Sequence, residues 1–143
     1  MDARTLSSPI HTLNLNEPCY VDLGTPVLEV INLMQEGQFG CVLVVDNRDQ
    51  LVGIVTERDF LVKIMGKQID PADVIVDAIM TPSPECLRPT DTVAFALNLM
   101  QLGHYRHIPL VIRDDKDKYP VSVVSIKDIL NHVAAFLETG KEE

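Results

Sequence analysis

The chain has 143 residues, of which 46% are hydrophobic and 23% charged. This length supports a core without disulfides or metal, and the composition excludes collagen, coiled coil and disorder. The 12 Lys and Arg residues against 21 Asp and Glu residues give a net charge of −9, which argues against binding to nucleic acid or to an anionic membrane surface. A local cluster of basic groups can still bind a small anion.

No apolar stretch approaches the roughly 20 residues that a membrane span needs, and the N-terminal stretch lacks the apolar core of a secretory signal. Cys19, Cys41 and Cys86 lie far apart and form no CxxC pair. An odd number of dispersed thiols is typical of a reduced protein. We therefore expect a cytoplasmic protein.

The first strong pattern along the chain is an amphipathic helix. Thr25 followed by Pro26 predicts an N-cap with proline at the first helical position, and Gly37 predicts the end of the helix. The spacing i, i+3, i+4, i+7 defines its apolar face. That face consists of Val27, Val30, Ile31 and Met34.

Two apolar, β-branched runs follow this helix, at Cys41–Val45 and Leu51–Val55, and each predicts a strand. Because the runs are continuous rather than alternating, we expect a sheet that is covered on its faces. A second helix is predicted over Arg58–Met65. A short apolar stretch around Tyr20 predicts a further strand before the first helix.

The same order of elements then returns. Val27–Gly37 aligns without a gap with Val93–Gly103, and the two share the run Asn-Leu-Met-Gln. Leu51–Leu61 aligns in the same way with Pro120–Leu130. The matching features of the second copy are a short strand at Glu85–Leu87, a cap at Asp91, a helix end at Gly103, strands at Ile108–Ile112 and Val121–Val124, and a helix at Lys127–Leu137.

These patterns predict an α/β (α+β) fold built from two tandem β-α-β-β-α repeats, over residues 10–70 and 71–143. A unit of this size buries too little surface to be stable alone. We therefore expect the two copies to pack together with pseudo-twofold symmetry.

A hydroxyl residue ends the second strand of each copy, and an aspartate follows three positions later. This spacing is that of a capping box, which is one interpretation. Because it recurs with a basic residue before each aspartate, the alternative is a site at a helix N-terminus for phosphate and ribose hydroxyls. The residues are Thr56, Arg58 and Asp59 in the first copy and Ser125, Lys127 and Asp128 in the second.

The repeated unit with its Gly-x-x-Thr/Ser-x-x-Asp pattern resembles the CBS domain. Met100–Val111 is similar to that family's segment between helix and strand, and Val76–Pro82 to the linker that enters a second copy. The resemblance covers roughly residues 15 to 137. Two such copies form a Bateman module.

By this resemblance, the chain binds an adenosine-containing ligand (AMP, ADP, ATP, S-adenosylmethionine or NAD) in a cleft between the repeats and signals to a partner protein. The ligand acts as a regulator, no cofactor is required and no catalytic residue is implied. The resemblance implies that Asp59 and Asp128 bind ribose, with Thr56 and Ser125 as the hydroxyl residues. It also implies ligand contacts from Thr25, Arg106 and His107, and purine contacts from Ile54, Ile108 and Val123.

The two sites are expected to be unequal. The first copy has Gly53 where the second has Ser122, and Gly40–Cys41 where the second has Arg106–His107. The His104 and His107 pair lacks the further ligands of a metal site. His11 and His132 are interpreted as surface residues.

Two other functions stay open. The pair of repeats can be a dimerisation adaptor without a ligand, or a small enzyme acting on nucleotides, although no catalytic motif supports the latter. A homodimer is expected in either case. The surface for it would come from Leu33, Leu61, Leu130 and Phe136, which can instead complete the core.

Overall fold

The computed structural model describes residues 3–15, 17–114 and 117–141. Within these ranges the chain forms five helices and six strands, joined by short 3-10 turns. The mixed helix-and-strand fold that the repeat pattern predicts is confirmed. In chain order the elements are α1 (Ala3–Ser7), β1 (Tyr20–Asp22), α2 (Val27–Gly37), β2 (Cys41–Val45), β3 (Leu51–Thr56), α3 (Glu57–Lys63), β4 (Thr81–Pro82), α4 (Val93–Gly103), β5 (His107–Asp114), β6 (Asp117–Ser125) and α5 (Ile126–Lys141).

These elements form two compact units, each centred on one repeat. The N-repeat unit comprises Pro18–Pro84 and Arg113–Pro120. The C-repeat unit comprises Met1–Glu17, Glu85–Ile112 and Val121–Glu143. Each unit has its own hydrophobic core.

A four-stranded sheet in the order β1-β2-β3-β4 forms the centre of the N-repeat unit. Strand β1 is parallel to β2, whereas β3 is antiparallel to both β2 and β4. All five residues of β2 are buried, as the continuous apolar run predicts. Val27, Val30 and Met34 on α2 are also buried, which confirms the predicted apolar face.

The predicted helix caps are wrong by one residue. Pro26, not Thr25, precedes α2, and the Thr25 hydroxyl donates to the Asp22 carbonyl at 2.7 Å. In the second copy the cap is Thr92, whose hydroxyl oxygen accepts from the Phe95 amide at 3.1 Å. The predicted cap Asp91 instead accepts from the amide of Arg88. The displacement of the cap has the same cause in both copies. The side chains of Thr25 and Asp91 form hydrogen bonds within the turn that precedes each helix, so they do not cap it.

The predicted helix ends are also displaced by one residue. Helices α2 and α4 include Gly37 and Gly103, and the left-handed residues are Gln38 and His104, with φ of 54° and 58°. A side chain at either glycine would collide with an aromatic ring two positions later. The glycines are therefore explained by close packing under a ring rather than by backbone conformation. The two rings are those of Phe39 and Tyr105.

Strands β5 and β6 pair as a two-stranded sheet. In the C-repeat unit, Leu87 forms an isolated parallel bridge to Leu110. Both strands and helix α5 are longer than predicted, whereas α3 stops at Lys63 and a 3-10 turn follows at Met65–Lys67.

The segment that leads each repeat packs in the unit centred on the other repeat. In the N-repeat unit, the Val27 amide donates to the Val74 carbonyl and the Val76 amide donates to the Thr25 carbonyl, both at 2.8 Å. In the C-repeat unit, the Val93 amide donates to Ser8 at 3.0 Å. The Ile10 amide likewise donates to Asp91 at 2.8 Å.

The alignment that matches α2 to α4 also relates the two leading segments. Extended back along the chain without a gap, it pairs Ser8 with Val74 and Ile10 with Val76. Val76 is fully buried in the core of the N-repeat unit, and Ile10 is fully buried in the core of the C-repeat unit. The leading segments are therefore equivalent parts of the two repeats, and the cores depend on them.

We expect Ile10→Ala to destabilise the C-repeat unit by about 2–5 kcal/mol, because it deletes fully buried methylenes from a packed core. Relative to the unmodified chain, Ile10→Ala should increase the rate of hydrogen–deuterium exchange more in α4, β5 and β6 than in β2 and β3. His11→Ala, at an exposed neighbouring position, is the control. Equal loss of protection in β2 and β3 would contradict the assignment of this segment.

Candidate functional site

The second Ser-x-x-Asp motif lies where β6 ends and α5 begins. The Ser125 amide and hydroxyl both donate to Asp128 Oδ2 at 2.8 Å. The Asp128 amide donates back to Ser125 Oγ at 3.2 Å. In the part of the chain that the structure describes, no group pairs with the other carboxylate oxygen, Oδ1. The motif is thus a capping box with one open carboxylate oxygen.

The first motif lies at the corresponding junction of β3 and α3. Asp59 Oδ2 accepts from the Thr56 amide at 2.8 Å and from its hydroxyl at 3.3 Å. The motif is also a capping box. Its second carboxylate oxygen, however, lies 3.0 Å from the ammonium nitrogen of Lys63. Both oxygens of Asp59 are therefore engaged.

The capping interpretation therefore holds at both motifs, and it does not exclude a ligand at the second. Both hydroxyls donate to the aspartate of their own motif, so neither proton is available to a ligand in this arrangement. The acceptor that stays open is Oδ1 of Asp128. It lies in the first turn of α5, whose positive dipole end favours anions.

Arg106 is held next to the second motif. Its carbonyl accepts from the Ile126 amide at 3.0 Å, one residue after Ser125. Its side chain is exposed, whereas His107, the first residue of β5, is half-buried. Lys127 is exposed on the first turn of α5. The C-repeat unit therefore places the basic residues Arg106 and Lys127 next to the helix start that carries Asp128.

Thr25 and Arg58, two further predicted ligand contacts, lie in the N-repeat unit. Thr25 is in the turn before α2, and the exposed side chain of Arg58 lies on the first turn of α3. Of the predicted purine contacts, Ile54 lies on β3, Ile108 on β5 and Val123 on β6.

Gly53 has a packing role within the N-repeat unit. A side chain at this position would overlap the side chain of Met80. The space above the glycine backbone is thus filled by Met80 of the linker. Ser122 at the equivalent position is half-buried.

Two residues that the sequence patterns did not single out occupy equivalent positions four residues after the motif aspartates. The Asp–Lys spacing i, i+4 was a usable signal for Lys63. The interpretation of His132 as a surface residue is wrong: the residue is half-buried, and its Nε2 is buried with no hydrogen-bond partner among the described residues. It lies on the same face of α5 as Asp128 and Ile129, which is buried.

Two further observations concern other chemistry. Within the described ranges, no group of three His, Cys, Asp or Glu side chains is arranged to hold a metal ion, and no helix is long and apolar enough to cross a membrane. Burial raises the pKa of the Cys19 thiol above its ordinary value. This thiol is therefore a poor nucleophile near neutral pH.

An apolar groove of about 660 Å³ lies between α2 and α3. Met34 and Ile64 form its buried part, and Leu61 and Met65 are exposed along it. Of the residues predicted to contact a second copy, Leu61 and Leu130 are 59% and 62% exposed. Leu33 packs on the core of the N-repeat unit, and Phe136 is half-buried.

Comparison with known proteins places this geometry in a family. The model of the CBS domain matches residues 10–66 and again residues 76–135. The chain is 26% identical over 120 residues to the CBS domain-containing protein CBSCBSPB2 of Arabidopsis thaliana, covering 84% of this chain and 22% of that protein. It spans about a fifth of the length of the first curated relatives that it matches.

Solved structures share the fold. An uncharacterised conserved protein from Pyrococcus horikoshii superposes with a TM-score of 0.79 at 22% identity, covering 93% of this chain and 95% of that one. A hexameric CBS-CP12 protein from bloom-forming cyanobacteria superposes with a TM-score of 0.73 at 23% identity, covering 85% and 65%. With both repeats matched by the family model, the chain belongs to the CBS domain family and carries two CBS domains in tandem.

Proposed function

We propose that this chain is a regulatory module that binds an adenosine-containing ligand (AMP, ADP, ATP, S-adenosylmethionine or NAD) and signals to a partner protein. CBS domain pairs are in general regulatory modules that bind adenosine ligands. The observation that carries the proposal is the open Oδ1 of Asp128, at the start of α5 and beside Arg106. An ionised carboxylate oxygen accepts hydrogen bonds from ribose hydroxyls, and basic side chains at a helix start attract phosphate.

Each residue of the proposed site has a distinct role. Asp128 accepts from the ribose hydroxyls, while Ser125 holds its carboxylate in place. Arg106, His107 and Lys127 attract the phosphates. Thr25, Thr56, Arg58 and Asp59 stay predictions for a second site in the N-repeat unit. No chemical step is assigned, because the role is reversible binding that shifts a conformational equilibrium.

The test is isothermal titration calorimetry of protein from which bound nucleotide has been removed, against AMP, ADP, ATP, S-adenosylmethionine and NADH. We expect saturable binding of at least one ligand. Asp128→Asn should weaken it by about tenfold or more, because it removes the charge that strengthens the hydrogen bonds. The amide oxygen can still accept from the Ser125 amide, so the cap is largely retained.

Asp73→Asn, at an exposed carboxylate outside both motifs, is the matched control and should bind as the unmodified chain does. The absence of heat with every ligand, on protein shown to be folded, would favour the adaptor function instead. Conversion of the ligand during titration would point to an enzyme.

We also propose that the chain self-associates through exposed leucines on α3 and α5. Leu61 and Leu130 occupy equivalent positions in the two repeats, and both are largely exposed. Leu61 also borders the α2–α3 groove, which offers further apolar surface. Two such surfaces gain stability from mutual burial, at about 25 cal/mol per Å². The hexameric CBS-CP12 neighbour supports assembly within this fold.

Sedimentation velocity tests this association. The unmodified chain should sediment as a dimer or larger species, and Leu61→Glu should shift it to the monomer because a charge would be buried in the contact. Leu23→Glu, at an exposed leucine outside the groove, should leave the distribution unchanged. A monomer at all concentrations for the unmodified chain would refute the proposal.

A further inference from the structure

The two motifs differ at the position one helical turn after the aspartate. The alignment of the repeats pairs Asp59 with Asp128 and, continued along the helix without a gap, Lys63 with His132. Residues four apart on a helix are neighbours on its surface. The side chain at this position can therefore reach the carboxylate that would hold a ribose.

Lys63 makes two contacts that hold it in place. Its ammonium nitrogen lies 3.0 Å from Asp59 Oδ1 and donates to the Ile79 carbonyl at 2.7 Å. The side chains of Lys63 and Asp59 are 36% and 13% exposed. A fully exposed pair of this kind would be weak, but here one partner is largely buried and the other is fixed to the backbone of the linker.

The hydrogen-bonding capacity of the two carboxylates decides what each can still accept. An ionised carboxylate has about four lone-pair positions. Asp59 uses three, for the Thr56 amide, the Thr56 hydroxyl and Lys63. Asp128 uses two, both on Oδ2 and both for Ser125. Two vicinal ribose hydroxyls need two acceptor positions, which Asp128 has and Asp59 lacks while Lys63 stays in place.

His132 leaves the second carboxylate open. Its Nε2 is buried without a hydrogen-bond partner among the described residues, and no ion pair joins it to Asp128 in this part of the chain. The imidazole therefore does not occupy Asp128 Oδ1 in the way that the Lys63 ammonium occupies Asp59 Oδ1.

We propose that Lys63 is a positioning residue that closes the first CBS motif to ribose, and that His132 at the equivalent position keeps the second motif open. Ligand occupancy is thereby restricted to one aspartate per chain. This inference rests on the proposed function, because it concerns the same ribose contact, but it assigns the selectivity to a pair of residues outside the motif.

The first experiment closes the open motif. In His132→Lys, the new ammonium can pair with Asp128. Lys63 has a second acceptor, the Ile79 carbonyl, and the alignment of the leading segments pairs Ile79 with Leu13, whose carbonyl is the equivalent group. Leu13 is buried in the same core as Ile129. Calorimetry with adenosine should show affinity lowered by about tenfold to a hundredfold. Asn131→Lys, which adds the same charge at an exposed position on another face of α5, is the control and should bind as the unmodified chain does.

The second experiment opens the closed motif. Lys63→Met keeps the length and the apolar part of the side chain but removes the ammonium. We expect the number of adenosine molecules bound per chain to rise from one to two. Adenosine is the probe because it lacks phosphate, so the absence of an Arg–His pair in the first copy does not affect the comparison. Lys63→Arg retains the charge and should still bind one adenosine molecule per chain.

A comparison with 2′-deoxyadenosine separates ribose recognition from a general effect on the fold. The unmodified chain should prefer adenosine, and His132→Lys should abolish that preference while thermal unfolding still shows a folded protein. Normal adenosine affinity and preference in folded His132→Lys would overturn this inference alone, as would a single site in Lys63→Met. No binding to the unmodified chain and none to Lys63→Met would overturn both this inference and the proposed function.

Discussion

A carboxylate has a limited number of lone pairs, and the fold uses a larger share of them at Asp59 than at Asp128. At Asp59 and Asp128 alike, one oxygen caps the helix that follows a strand. The cap sets the direction in which that helix begins. The number of acceptor positions that remain for a ligand depends on whether the second carboxylate oxygen already has a partner. The helix start and the proposed ligand site therefore use the same side chain.

The linker packs against the first motif and contacts Lys63. It supplies the Ile79 carbonyl to Lys63, and Met80 covers Gly53 on the strand that leads into Thr56. The first motif is thus held in its surroundings by the hydrogen bond of Lys63 to a backbone carbonyl and by the packing of the Met80 side chain. In the C-repeat unit, the Arg106 carbonyl accepts from the Ile126 amide at the start of α5, and the Arg106 side chain is exposed.

Periodicity was sufficient to predict elements whose residues face a core. Strand β2 and the buried face of α2 follow from local pattern alone, because burial there repeats with the period of the element. The repeat and the family resemblance also located both motifs. Predictions of caps and helix ends failed at Thr25, Asp91 and the two helix glycines, because each depends on which neighbour completes the turn.

The contacts that distinguish the two motifs were beyond the reach of sequence patterns. The pairing of Lys63 with Asp59 has a spacing signal, but its second partner, Ile79, is distant along the chain. The burial of His132 depends on how α5 packs rather than on the residue type. Such contacts are set by tertiary structure, so a close match in motif residues does not reveal which carboxylate is available.

The exchanged leading segments bear on how a protein with two such repeats can arise. A chain holding one repeat could satisfy the contacts of Ile10 or Val76 only by receiving the same segment from another molecule, which is a domain swap. Its assembly would depend on protein concentration. Duplication within one chain makes the exchange intramolecular, at an effective concentration in the millimolar range for a short connection. The duplicated copy is then free to change, as Lys63 and His132 show.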